Sequence, residues 1–266
     1  MQGSSIQQNL AHLESWGEAA AMSAWDQYIS EMQKHFDYLA NWTPGYPLAL
    51  GDVGVINHGI FRRITSLEQL GVNFDVREDS TPETQKYASA RGVSVAFKGA
   101  GRMPVAGSVL TEAEAGFTVD FSSKHATLYE AIGCTTPSIA DLLSIGEQIL
   151  RLYKSAQWNR SWVTISELVN CESATILISN SSNSKLELSA KGNISSPTIS
   201  IADAKAELGV AMSRDMQTAI LAQKGLRPLY RAVSIDDYLN NRPEPRSLAE
   251  NLQKISLADL LAPDCI

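Results

Sequence analysis

The stretch from Trp162 to Lys191 constrains this chain most. It reads WVTISELV, NCES, ATILIS, a polar NSSNS loop and KLELSAK. Val163, Ile165 and Val169 alternate with Thr164, Ser166 and Leu168. Ile176 and Ile178 alternate with Thr175, Leu177 and Ser179, and Leu186 and Leu188 with Lys185, Glu187 and Ser189. A period of two sends successive side chains to opposite faces of a sheet. The Asn180–Ser184 loop consists of residues that hydrogen-bond their own backbone, so the last two runs read as an antiparallel hairpin. Ile176, Ile178, Leu186 and Leu188 are then expected on one buried face.

More strands and a few helices surround this stretch. Residues 4–41 read as a long amphipathic helix, with Ile6, Leu10, Leu13, Gly17, Ala20 and Ala24 at four-three spacing. Trp25, Ile29, Met32, Phe36 and Leu39 continue it after a one-residue shift, and Pro44-Gly45 breaks it. Trp25 and Phe36 are expected in the core. Asp52–Ile56 and Ile60–Ile64 flank Asn57-His58-Gly59, a hairpin signature. Ser66–Gly71 reads as one helical turn closing on a glycine, followed by a strand through Val72, Phe74 and Val76. The polar run 79–90, with Pro82, reads as loop or short helix.

Val93, Val95 and Phe97, then Phe117, Val119 and Phe121, alternate on either side of a Gly/Ala-rich connection. Pro137–Lys154 reads as a helix begun by Ser138 and Asp141. Residues 198–223 alternate weakly, and their alanine content keeps a helix open as the alternative. Leu229–Ile235 is a last strand. Asn241–Pro245 is a linker, and Ser247-x-x-Glu250 is a capping box that opens a tail helix. The expectation is an α+β fold: a twisted, mainly antiparallel sheet with a long N-terminal helix, one mid-chain helix and a C-terminal tail helix. Three regions follow: helix 1–45, β-rich main domain 46–240, linker and tail 241–266.

A chain of 266 residues can bury a full core, as one large domain or two small ones. A net charge of −7 argues against nucleic acid as a partner, because phosphate binding needs a basic field. Cys134, Cys171 and Cys265 are odd in number and far apart, which suits a reducing compartment. The first residues lack the basic and apolar regions of a signal peptide, and no window approaches the roughly 18 apolar residues of a spanning helix. A soluble, cytoplasmic protein is expected.

His12, His35, His58 and His125 show no metal spacing, so neither a metal nor a cofactor is expected. Gly99, Gly101 and Gly107 match no nucleotide fingerprint. Cys134 and Cys171 are candidate nucleophiles, each needing a distant histidine; as buried thiols they need nothing more. Asp203 with Glu207, and Asp236 with Asp237, read as solvated surface. No catalytic residue is assigned, and the chain is expected not to be an enzyme.

The order of elements, with a β-hairpin from Val93 to Phe121, a helix from Ser138 to Lys154, alternating strands over Trp162–Lys191 and Asp203–Gln223, and then a tail, resembles the pore-forming domain of gasdermins, including the short bacterial members. The likeness spans Gly92 to Ile266 and lies in element order, not in a residue motif. The acylated cysteine that short bacterial members carry near their N-terminus has no counterpart here, nor do the family's basic clusters. The resemblance implies a protein of cell death and antiviral defence that rests as a soluble monomer. Proteolysis then frees it to oligomerise on membrane lipid, and hairpins extend into a closed barrel. The alternative is a binding or assembly module acting through a sheet edge or the N-terminal helix.

Both readings bear on the tail. Pro243 and Pro245 hold the linker extended, and such segments are open to proteases. Arg242 precedes a proline, so Arg246 before Ser247 is the candidate cleavage site. Beyond it Leu248, Leu252 and Ile255, with Leu257, Leu260 and Leu261, supply apolar surface for autoinhibitory docking.

Overall fold

The computed structural model describes residues 22–90, 92–97, 101–103, 117–190 and 208–239. Ser23 and Asp26 form a reciprocal capping box that opens helix α1 (Ala24–Phe36). Its buried stripe is Ala24, Tyr28, Ile29 and Met32. Trp25, expected in the core, is 38% exposed at the rim of that stripe, while Phe36 packs partly buried against it. The helix ends earlier than Asn41, because Asp37 turns left-handed (φ 59°) and its N–H bonds back to Gln33. Leu39–Ala40 can therefore extend as β1. The part of the expected helix before residue 22 lies outside the described residues.

β2 (Asp52–Asn57) and β3 (Ile60–Ser66) form the expected hairpin. Both turn residues have positive φ, His58 at 50° and Gly59 at 75°, the backbone that a two-residue turn between twisted strands needs. A 3-10 turn, Glu68–Leu70, closes on Gly71 as expected. Only Val76–Arg77 of the next run is strand (β4). Glu83–Ala88, expected as loop or helix, is strand β5. β6 (Val93–Phe97), β7 (Gly101–Met103), β8 (Phe117–Phe121) and β9 (Thr127–Cys134) follow. Ser138–Ile139, expected to begin a helix, is instead strand β10, and α2 (Leu142–Lys154) starts at the Asp141 cap. The rest is β11 (Val163–Val169), β12 (Ser173–Ser179), β13 (Lys185–Ala190), β14 (Leu208–Arg214), β15 (Met216–Lys224), β16 (Leu229–Ser234) and a short helix α3 (Ile235–Leu239).

The architecture is α+β, and every strand pair described is antiparallel. One sheet runs β1-β16-β11-β10-β4, with β2 on β11 and β3 on β2; a second runs β15-β12-β9-β5, and a third β14-β13-β8-β6-β7. α1 covers one face of the second sheet, where Tyr28 and Met32 meet Tyr129, Ile176 and Ile178. Burying such side chains stabilises by about 1.5–3 kcal/mol each.

The expected hairpin between β12 and β13 is not formed. β12 pairs with β9 and β15, and β13 with β8 and β14. Ile176, Ile178, Leu186 and Leu188 are all buried, but in two clusters. It is Leu177, of the opposite parity, that joins Leu186 and Leu188. β12 is buried on both faces, so its parity sorts residues between two cores instead of between core and water. A similar correction applies to β11. Its register against β16 shifts between Ile165 and Glu167, and this bulge moves Leu168 onto the face of Val163 and Ile165, leaving Val169 to the α1 core.

Candidate functional site at the bend of two long hairpins

β5 and β6 are two halves of one strand that bends at Ser89–Gly92 and passes from the second sheet to the third. β8 and β9 do the same through Ser122–Ala126, β12 and β13 through Asn180–Ser184, and β14 and β15 across the single residue Asp215. The β5–β6 arm pairs with the β8–β9 arm along both sheets, and the β12–β13 arm with the β14–β15 arm. The molecule thus holds two long bent hairpins side by side, joined where β9 meets β12 and β8 meets β13.

The bends are built from serines because ladder bonds are interrupted there, and hydroxyls can take their place. Ser179 Oγ accepts from the Ala126 amide at 2.8 Å and donates to the Ser123 carbonyl at 2.7 Å. Ser184 Oγ accepts from the amides of Asn180 (3.1 Å) and Ser181 (3.0 Å) and donates to the Asp215 carbonyl. Asp215 has φ 52°, and its carbonyl also accepts from the Asn180 amide at 2.8 Å. Ser89 Oγ accepts from Thr127 N at 2.8 Å and donates to the Glu31 carboxylate of α1 at 2.9 Å. The helix is therefore tied to the first bend. Gly92 permits a close approach: a Cβ there would lie 2.4 Å from Ser123 Oγ and 2.6 Å from Ala126 Cβ. His125, at φ 62°, sits in the second bend, where burial and Lys124 push its imidazole below its ordinary pKa.

Past the bend, the third sheet is amphipathic. Val95, Val119, Phe121, Leu186 and Leu188 are buried on one face. Ser94, Asp120, Lys185 and Glu187 alternate with them on the other, with Lys185 3.6 Å from Asp120. On β14, the last strand of this sheet among the described residues, Val210 and Met212 are 54% and 40% exposed. Sequence reading missed Ser89, Ser123 and Ser179 as a set. The available signal was serine recurring at each interruption of alternation, in SARG, SSK, SNSSNS and SRD.

No family model matches the chain, and no curated protein matches it. Among solved structures, a bacterial gasdermin from Bradyrhizobium tropiciagri aligns over 76% of this chain and 84% of its own, with TM-score 0.33 and 11% identity. That is a weak fold-level resemblance.

The candidate residues named from sequence fall as follows. Arg246, Ser247, Leu248, Leu252 and Ile255 lie outside the described residues, as do Asp203 and Glu207. Asp237 caps α3 by accepting from Ser234 N at 2.7 Å, and Asp236 pairs with Arg160 at 3.0 Å. Cys134 and Cys171 are brought together, with their sulfurs 3.5 Å apart and both buried. The groups acting on this pair are tyrosines, Gln85 and Glu83, not histidine. Among the described residues, no three metal-ligating side chains converge, and no helix is long and apolar enough to cross a membrane. A polar cleft of about 380 Å³ is lined by Tyr38, Arg77, Glu78, Asp79, Thr136 and Glu167. Its mixed charge selects no ion.

Proposed function

We propose that this chain is a pore-forming protein of the gasdermin kind, held closed by its tail and released by cleavage at Arg246–Ser247. The observation that carries this reading is the pair of long hairpins bent at one serine belt. A transmembrane strand needs about 9–11 residues, one apolar and one polar face, and every edge paired. The arms Ser173–Ala190 and Leu208–Lys224 exceed that length. In the third sheet the strands already separate apolar from polar residues. Straightening the bends would extend both hairpins once the unequal arms of each bend, such as Asn180–Ser184 facing Asp215, shift into one register, and further copies of the chain would close the edges. The resting form is cytoplasmic, the activating partner is a protease, the target is membrane lipid, and the active form is a homo-oligomer.

A second reading has its own observation. The exposed Val210 and Met212 on the β14 edge suit a module that adds a partner strand there. The two readings separate on vesicles loaded with a quenched dye, both zwitterionic and anionic. The pore reading expects the chain truncated after Arg246 to release dye and the full chain not to. A truncated protein that is folded, monomeric and inert towards both vesicles overturns it in favour of the binding module.

A further inference from the structure

Cys134 ends β9 and Cys171 precedes β12, so one thiol belongs to the root of each long hairpin. The β9–β12 register, Ser173 opposite Ile132, runs on to a bridge between Thr135 and Asn170, which places Cys134 directly across from Cys171. Thr135 and Asn170 exchange both backbone bonds, at 2.9 and 2.8 Å. Cys171 N turns away to Leu226 O. The cysteines therefore occupy the non-hydrogen-bonded position between ladder bonds, where opposing Cα atoms come within about 4.5 Å. That separation is within the range a disulfide spans, about 4.4–6.8 Å. The sulfurs, 3.5 Å apart, need side-chain rotation only.

We propose that Cys134 and Cys171 are a redox-active dithiol that a peroxide closes to a disulfide, stapling the root of one long hairpin to the root of the other. Cys134 is the attacking sulfur. The neighbouring Cys171 thiol favours its thiolate, and Cys171 itself, raised by Cys134 and by burial, keeps its proton. Cys134 sulfur attacks one peroxide oxygen, the O–O bond breaks, and water leaves with Cys134 as the sulfenic acid. Cys171 sulfur then attacks Cys134 Sγ, the S–O bond breaks, and a second water leaves with the proton of Cys171. Two thiols and one peroxide become one disulfide and two waters, and an added dithiol reverses the change. Cys134 lies opposite Glu83 at the start of β5, where the register shifts between Glu83 and Gln85, so a local opening of that strand end would admit the peroxide.

The proposal stands apart from the pore reading, and its test needs no membrane. The full chain is treated with hydrogen peroxide, its free thiols are alkylated, and the digest is mapped by mass spectrometry. The expected product is a Cys134–Cys171 linked peptide, with Cys265 as the single alkylated site of the three cysteines. The oxidised chain should melt several degrees higher than the reduced one, because the bond closes a loop between positions 37 apart. Dithiothreitol should restore the reduced melting point. In Cys171→Ser, peroxide should leave a dimedone-trappable sulfenic acid at Cys134. Separate over-oxidation of the two cysteines, or oxidation confined to Cys265, overturns the proposal, and the wild-type comparison decides it even where a serine variant fails to fold.

Discussion

Ser179 on the second long hairpin donates its hydroxyl to the carbonyl of Ser123 on the first at 2.7 Å, and the same oxygen accepts from Ala126 N at 2.8 Å. One side chain thereby satisfies two backbone groups of the neighbouring hairpin where its strand bends. Ser179→Ala strands both groups in a fully buried position. The expected cost is about 1–3 kcal/mol, read as a lower urea midpoint with an unchanged slope.

Gly92→Ala tests the close packing of the same belt. The added methyl meets Ser123 and Ala126 at distances no Cβ tolerates, so the first hairpin must shift or strain. The expectation is a loss of about 1–3 kcal/mol by thermal or urea unfolding. A variant as stable as wild type would show that the bends do not pack as described.

Ile178→Asp places a carboxylate between α1 and β12, where Ile178 has no exposure. An unpaired charge there should cost more than about 4 kcal/mol, enough to unfold most domains. Ser213→Asp, on the exposed β14, should change stability by no more than about 0.5 kcal/mol. Circular dichroism melts of the two variants separate core from edge.

His125 gives the bend a pH dependence with a definite sign. Burial and Lys124 disfavour its charged form in the folded state, so its folded pKa lies below the ordinary 6.5. The unfolded chain then binds the proton first, and stability falls as pH drops through about 6.5 towards the folded value. His125→Asn keeps a residue that tolerates the left-handed backbone and removes the titration. Urea midpoints measured stepwise from pH 7.5 to about 5 should fall less steeply in the variant than in wild type.

Much of this fold was determined by local sequence. Alternation placed β6 and β8, and the structure pairs them with Val95 opposite Val119. Asn57-His58-Gly59 gave the β2–β3 hairpin, because few other residues accept two successive positive φ angles. Tertiary structure decided the rest. Glu83–Ala88 looks like loop by composition, yet it is a strand because β9 offers it a ladder. The Asn180–Ser184 loop has the chemistry of a turn, and a turn and a bend use that chemistry alike: side-chain oxygens replacing ladder bonds. Which of the two forms depends on β8, β9, β14 and β15, far away in sequence. The juxtapositions of Cys134 with Cys171 and of Ser179 with Ser123 arise in the same way. Sequence period fixes which face a residue takes, but only the pairing of distant strands fixes what that face meets.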